Sequence, residues 1–197
     1  MTPTWQGVYP AATTQFKEDL SIDLGQTQRV VDNLVKDGVH GIIAMGTVGE
    51  NNSLDAAEKQ STLRAVTEVV AGRVPVLTGV SEFDTRRAVA FAKDAKKAGA
   101  DGLMVLPAMV YVPTAEELIY HFRAVAEATD LPVVLYNNPP AYRVNITVEV
   151  LEALRNVPNI VAIKESAPDP RRFTDIINAF GDRFTLLAGL DDVAFEG

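Results

Sequence analysis

"VVLYNNPPAYRV", residues 133–144, and "IVAIKES", residues 160–166, decide how this chain is to be read. Each opens on a short β-branched apolar run of the kind that forms a buried strand in a parallel sheet. The second run ends on a lysine, Lys164, directly after Ile160 to Ile163. A charged ammonium is costly to bury, and lysines are almost never fully buried unless paired or put to use. Lys164 therefore marks a strand end that reaches water or is an amine held neutral for chemistry.

Working outward, the same pattern recurs along the whole chain. Candidate strands begin near Val8, Ile42, Val76, Leu103, Val133, Val161 and Leu186, at separations of 34, 34, 27, 30, 28 and 25 residues. Each spacing is about one βα unit. Between the strands lie helices with readable ends. One is expected over 27–37, with Gly38 as its stop, and another follows Ser53 as its cap. A third spans 85–98 before Gly99. Thr114 to Glu117 forms a capping box ahead of Leu118 and Phe122. Thr147 opens a short helix, and Asp169-Pro170 opens the last one.

Strands flanked by helices on this rhythm mean a parallel sheet covered by helices, either an open doubly wound sheet or a closed (β/α)8 barrel. No G-x-G-x-x-G follows the first strand, which disfavours a dinucleotide fold. The expected fold class is α/β, a (β/α)8 TIM barrel, with residues 1–197 as a single domain. A full barrel typically takes about 250 residues. Seven strands are readable, so the chain is expected to be truncated after the seventh. The eighth βα unit and any C-terminal helical segment are then missing.

Composition removes several function classes. The chain has 197 residues, no cysteine, two distant histidines (His40 and His121) and a formal charge of −8. Disulfides, thiolate metal sites and cysteine nucleophiles are excluded, and no metal site is expected. The acidic balance speaks against a nucleic-acid partner. No apolar run approaches the roughly 18 residues of a membrane span, and the N-terminus lacks a signal peptide's pattern. A soluble, cytoplasmic protein is expected.

The residues at the C-terminal ends of the strands carry the chemistry. They are "GTVGE" (46–50), "YNNP" (136–139), "KES" (164–166) and "GLDD" (189–192). In a parallel barrel these converge on the face where active sites are built. A lysine freed of its proton by an apolar strand is a nucleophile that forms a Schiff base with a carbonyl substrate. Tyr136 can shuttle protons during imine formation. Gly46 and Gly49 let the backbone turn so that its N–H groups face a carboxylate. A ketone beside a carboxylate, a 2-oxo acid, is the substrate this set predicts.

Those motifs, with Tyr136 89 residues after Thr47, Lys164 28 residues after Tyr136 and Gly189 25 residues after Lys164, resemble the dihydrodipicolinate synthase / N-acetylneuraminate lyase family of Schiff-base lyases. The resemblance implies a (β/α)8 barrel, a homo-oligomer (usually a tetramer) and no cofactor. It also implies Lys164 as the imine lysine, Tyr136 as the proton shuttle and Thr47 as part of the relay and carboxylate site.

Departures from the family pattern narrow the substrate. Val48 replaces a usual threonine, leaving a backbone contact only. Ala141 stands where synthases carry an arginine, with Arg143 two residues on. Ala108-Met109 replaces a usual tyrosine pair, with Tyr111 displaced. Gly189, Asp191 and Asp192 resemble the run that binds substrate hydroxyls in neuraminate-type and sugar-acid lyases, and Ser166 joins the same rim. "YNNPPAYRVNIT" is similar to the branch that deaminates 4-hydroxy-1-pyrroline-2-carboxylate. The best specific expectation is deamination or dehydration of such a hydroxylated substrate. The alternatives are a 2-keto-3-deoxy sugar acid or neuraminate-type aldolase, or 4-hydroxy-tetrahydrodipicolinate synthase.

Each residue also has an ordinary reading. Lys164 can snorkel from a strand end, Tyr136 can be a core aromatic, the glycines a tight turn and Asp191-Asp192 a helix cap. Arg171-Arg172 reads as a solvated first turn. The competing functions are a non-catalytic truncated paralogue and a phosphate-binding barrel. The latter lacks most of the loops that such sites use.

Overall fold

The computed structural model describes residues 5–197. Strands and helices alternate as α1 (Leu24–Lys36), β1 (Ile42–Ala44), α2 (Ala56–Val70), β2 (Val76–Val80), α3 (Thr85–Lys97) and β3 (Gly102–Val105). They continue as α4 (Ala115–Glu127), β4 (Val133–Asn137), α5 (Pro139–Tyr142), α6 (Val148–Leu154), β5 (Ile160–Glu165), α7 (Arg171–Phe180) and β6 (Thr185–Ala188). The strands are all parallel and stand side by side in chain order. A doubly wound sheet reverses its order at a switch point. This sheet never does, so it is the wall of a (β/α) barrel.

The strand expected near Val8 is reduced to one bridged residue, Ala11 beside Ile43. Its segment does follow β1: the Val8, Pro10 and Ile43 carbonyls accept from His40, Ile43 and Ala12. Pro10 has no N–H to give, and the Val8 N–H goes to His40 Nδ1 at 3.1 Å, so no regular ladder forms. The cap expected at Ser53 is instead Asp55. Its carboxylate accepts from the N–H groups of Ala57 and Glu58, while Glu58 returns a bond to the Asp55 N–H. Ser53 lies in a short 3-10 turn two residues earlier. The boxes and caps expected at Thr114 and Thr147 form as read.

Side chains alternate across the strands, giving two apolar layers. Ile42, Val76, Leu103, Val133 and Ile160 face outward and pack under the helices with Val31, Leu63, Phe122 and Leu151. Ile43, Leu77, Met104, Val134 and Val161 face inward and pack together with Trp5 and Tyr136. The inner layer is the floor of the site. No helix among the described residues is long and apolar enough to cross a membrane.

Candidate active site

Lys164 and Tyr136 face each other because of a one-residue irregularity between β4 and β5. Val133 pairs with Ile160, but Val134 pairs with Ala162, so Val161 is the extra residue of a bulge. Without it, Tyr136 would stand beside Ile163, which faces the helices. With it, Tyr136 pairs with Lys164, and both point to the inner face. Bulges re-aim side chains in this way beside functional sites. Lys164 is half-buried, and its Nζ lies 4.5 Å from the centroid of the Tyr136 ring. Tyr136 is 7% exposed, with its hydroxyl accepting from Asn138 Nδ2 at 3.1 Å.

The next residues on each strand point the other way. Asn137 and Glu165 are buried on the outer face, where Asn137 Nδ2 donates to both Glu165 oxygens at 2.9 and 3.0 Å. Glu165 also accepts from the Ala167 N–H at 2.8 Å and pairs with Arg172 at 3.3 Å. Arg172 is therefore no solvated first-turn residue. Its side chain is only 15% exposed, and it donates to the Ile146 carbonyl as well. Arg171 is exposed and pairs with Asp169.

The "GTVGE" loop follows β1, and its turn is made differently from the sequence expectation. Positive φ angles fall on Met45 (50°) and Glu50 (57°), not on Gly46 or Gly49. Gly49 is needed because a Cβ there would lie 2.8 Å from Met45 Cα and 2.9 Å from the Ala12 carbonyl. Buried Asn51 donates to the Met45 and Gly79 carbonyls, and Thr14 donates to the Gly49 carbonyl, so the loop is tied from both sides. Thr47 and Val48 are left exposed, and among the described residues their N–H groups make no hydrogen bond.

Sequence reasoning missed Tyr142. Asn138 caps α5 through the Ala141 N–H, two prolines hold its first turn, and the helix delivers Tyr142 over the site. The Tyr142 ring meets Tyr136 edge-on, with centroids 5.7 Å apart at 83°, and its hydroxyl is hydrogen-bonded to Thr47 Oγ1. Burial above all, helped by neighbouring Tyr136 and opposed by the Thr47 bond, pushes the Tyr142 phenol up to about 12. A cap residue followed by two prolines is a helix-start signal that locates this turn from sequence.

Other expected residues are spread along the same rim. Gly189 lies against Lys164 and Ser166: a Cβ on it would stand 2.0 Å from Ser166 Oγ and 3.0 Å from Lys164 Cε. Ser166 Oγ is buried without a partner among the described residues. Asp191 and Asp192 begin a 3-10 turn and are exposed; neither caps a helix. Tyr111 is exposed and donates to Glu117 at 3.2 Å. Ala141 and Arg143 are exposed.

Comparison with known proteins bears on the fold and the family. A profile described as the dihydrodipicolinate synthetase family matches residues 4–197. The 4-hydroxy-tetrahydrodipicolinate synthase of Desulforamulus reducens is 36% identical over 187 residues, 94% of this chain and 63% of that protein. The crystal structure of dihydrodipicolinate synthase from Aquifex aeolicus superposes with a TM-score of 0.92 at 32% identity, covering 96% of this chain and 65% of that one. YagE, a prophage protein of the dihydrodipicolinic acid synthase family from E. coli K12 solved with pyruvate, gives 0.92 at 31% identity, covering 98% and 66%. The chain thus spans just under two-thirds of the relatives it matches.

Proposed function

Starting from the fact that this chain belongs to the dihydrodipicolinate synthetase family, we propose that it acts as a lysine-imine lyase on a 2-oxo acid. The observation that carries this reading is the inward pairing of Lys164 with Tyr136, Nζ 4.5 Å from the ring centroid, at the C-terminal mouth of a parallel barrel wall. Lys164 adds to the 2-carbonyl and expels water. The resulting iminium withdraws electrons, so a proton leaves C3 and an enamine forms. Tyr136 serves as the acid–base group for these transfers. The free N–H groups of Thr47 and Val48 hold the carboxylate, with the Thr47 hydroxyl beside them. Gly189 keeps the space before the lysine stem open, and Ser166, Asp191 and Asp192 form the rim toward the distal end of the substrate.

The finer reading is deamination of a hydroxylated cyclic imine acid such as 4-hydroxy-1-pyrroline-2-carboxylate. Lys164 adds to C2 and displaces the ring nitrogen, which stays on C5 as an amine, and the enamine expels the 4-hydroxyl as water. After tautomerisation water hydrolyses the C5 imine to release ammonia, a second water freeing the lysine. Val48 and exposed Ala141, where synthases carry a hydroxyl and a guanidinium, support it. Condensation to 4-hydroxy-tetrahydrodipicolinate is the second reading, supported by the names of the curated relatives. We place the enzyme in the cytoplasm as a homo-oligomer. The exposed apolar side chains of Val110, Tyr111, Val112 and Tyr120 supply a face suited to a second copy.

Borohydride trapping with pyruvate followed by peptide mapping tests the imine. An adduct on Lys164, lost in Lys164→Ala, is expected. A folded chain that gives no adduct is a non-catalytic paralogue. Turnover of the hydroxypyrroline acid but not of pyruvate with aspartate semialdehyde selects the first substrate reading, and the reverse selects the second.

A further inference from the structure

The chain leaves β1 by a reversal that a methionine does not favour. Met45 has φ 50°, a left-handed setting that a residue with a Cβ keeps only when its surroundings hold it there. What holds it is Asn51, six residues on. The Asn51 Nδ2 donates to the Met45 carbonyl at 2.9 Å and to the Gly79 carbonyl of β2 at 3.1 Å, so both amide protons tie the reversal to the neighbouring strand. The Met45 oxygen comes so close to Gly79 that a Cβ there would lie 2.0 Å from it. Asn51 is fully buried, and its Oδ1 has no partner among the described residues. A buried amide with an unpaired oxygen is a costly way to fill space, so packing does not account for it.

The consequence falls on the loop beyond Met45. The Asn51 N–H donates to the Gly46 carbonyl at 3.4 Å, and the Glu50 N–H to the Thr47 carbonyl at 3.0 Å. With both carbonyls turned into the closed loop, Thr47 and Val48 stand at its tip, and their N–H groups bond nothing among the described residues. Adjacent amides left bare in this way make a concavity for an anion. We propose that Asn51 is the positioning residue of the site's carboxylate end. By fixing the Met45 reversal it aims the Thr47 and Val48 N–H groups at the substrate's carboxylate without touching the substrate itself. This rests on the imine reading and deepens it. Asn52 is the contrasting neighbour. It is exposed and ties the same turn to Ser81, donating to the Ser81 carbonyl at 3.1 Å and accepting from the Ser81 hydroxyl at 2.8 Å, and neither bond reaches Met45.

The test is cyanoborohydride trapping at Lys164 on the full chain, titrated with pyruvate and separately with acetaldehyde, which has a carbonyl but no carboxylate. Asn51→Ala removes the amide and keeps the backbone bond to Gly46. The pyruvate concentration that gives half-maximal adduct is expected to rise roughly 10- to 100-fold, the worth of hydrogen bonds to a charged group. The plateau at saturating pyruvate and the whole acetaldehyde titration are expected to stay within about twofold of the parent, as is everything measured on Asn52→Ala. An unchanged pyruvate midpoint in Asn51→Ala, an equal rise for acetaldehyde, or an equal rise in Asn52→Ala overturns the positioning role and leaves the imine reading standing. In the parent chain the Asn51 side-chain amide protons should exchange with deuterated water at least about 10-fold more slowly than those of Asn52, read by NMR. Equal rates overturn the proposal even where the variant fails to fold. A folded parent that gives no adduct with pyruvate overturns the imine reading, and the proposal with it.

Discussion

Lys164 and Glu165 are adjacent in sequence, and the pleat sends them to opposite faces. Lys164 turns into the barrel beside Tyr136, and Glu165 turns out into a closed polar cluster with Asn137, Arg172 and the Ala167 N–H. The sequence makes the first legible, because a lysine after an apolar strand demands an explanation. The second is opaque, because Arg172 at a helix start looks solvated until the fold brings it onto a fully buried carboxylate. Removing one partner of such a pair strands the other. Glu165→Ala is expected to cost about 3–5 kcal/mol in urea unfolding, and a loss within the noise of a surface mutation refutes the clamp. His121 behaves in the same quiet way. It is buried, with ring nitrogens bonded to Thr85 and the Leu106 carbonyl, and burial lowers its pKa. The unfolded chain therefore binds this proton at higher pH than the folded one. His121 contributes stability above its ordinary pKa and loses it as pH falls toward the depressed value. The melting temperature should drop from pH 7 toward pH 5, with a shallower slope in His121→Gln. Equal slopes in the two proteins exclude His121 as the cause.

At the scale of elements, the strand rhythm could be read directly because parallel strands buried on both faces are continuous apolar runs. Helix starts were legible wherever the cap and the box fell together, as at Thr114 with Glu117. At α2 the cap expected at Ser53 lies two residues too early, because the glutamate three residues on that completes a capping box belongs to Asp55. Asp55 has Glu58; Ser53 has only a 3-10 turn. Asp55→Ala should therefore lose about 1 kcal/mol, whereas Ser53→Ala should stay within about 0.5 kcal/mol. Equal effects return the cap to Ser53. The bulge at Val161 was beyond reach, since nothing in "IVAIKES" distinguishes a residue that is counted twice against its neighbour. Yet it sets the register that joins Tyr136 to Lys164. The α5 arm was within reach through Asn138 and its two prolines, and with it the position of Tyr142.

At the scale of the described residues, the same parallel order that gathers the site on one rim gives β6 a single neighbour. Among the described residues β6 pairs only with β5, and its four residues are half-exposed or exposed. Unpaired strand edges are templates for pairing with another chain. Along β6 the Gly189 N–H points to the Glu165 carbonyl, so the alternation of a parallel ladder sends the Ala188 N–H outward. Proline is tolerated on an edge strand where its missing N–H faced solvent. Ala188→Pro should thus leave the β5–β6 ladder and the melting temperature of the chain nearly unchanged. It should also suppress the growth of scattering mass with concentration. A charged substitution at Val110 acts on the other exposed face and is expected to break a defined oligomer instead of open-ended growth. If Ala188→Pro self-associates as the parent does, edge pairing is not what joins the copies. Association would then be assigned to the Val110 and Tyr120 face, where apolar side chains and not backbone groups are left bare.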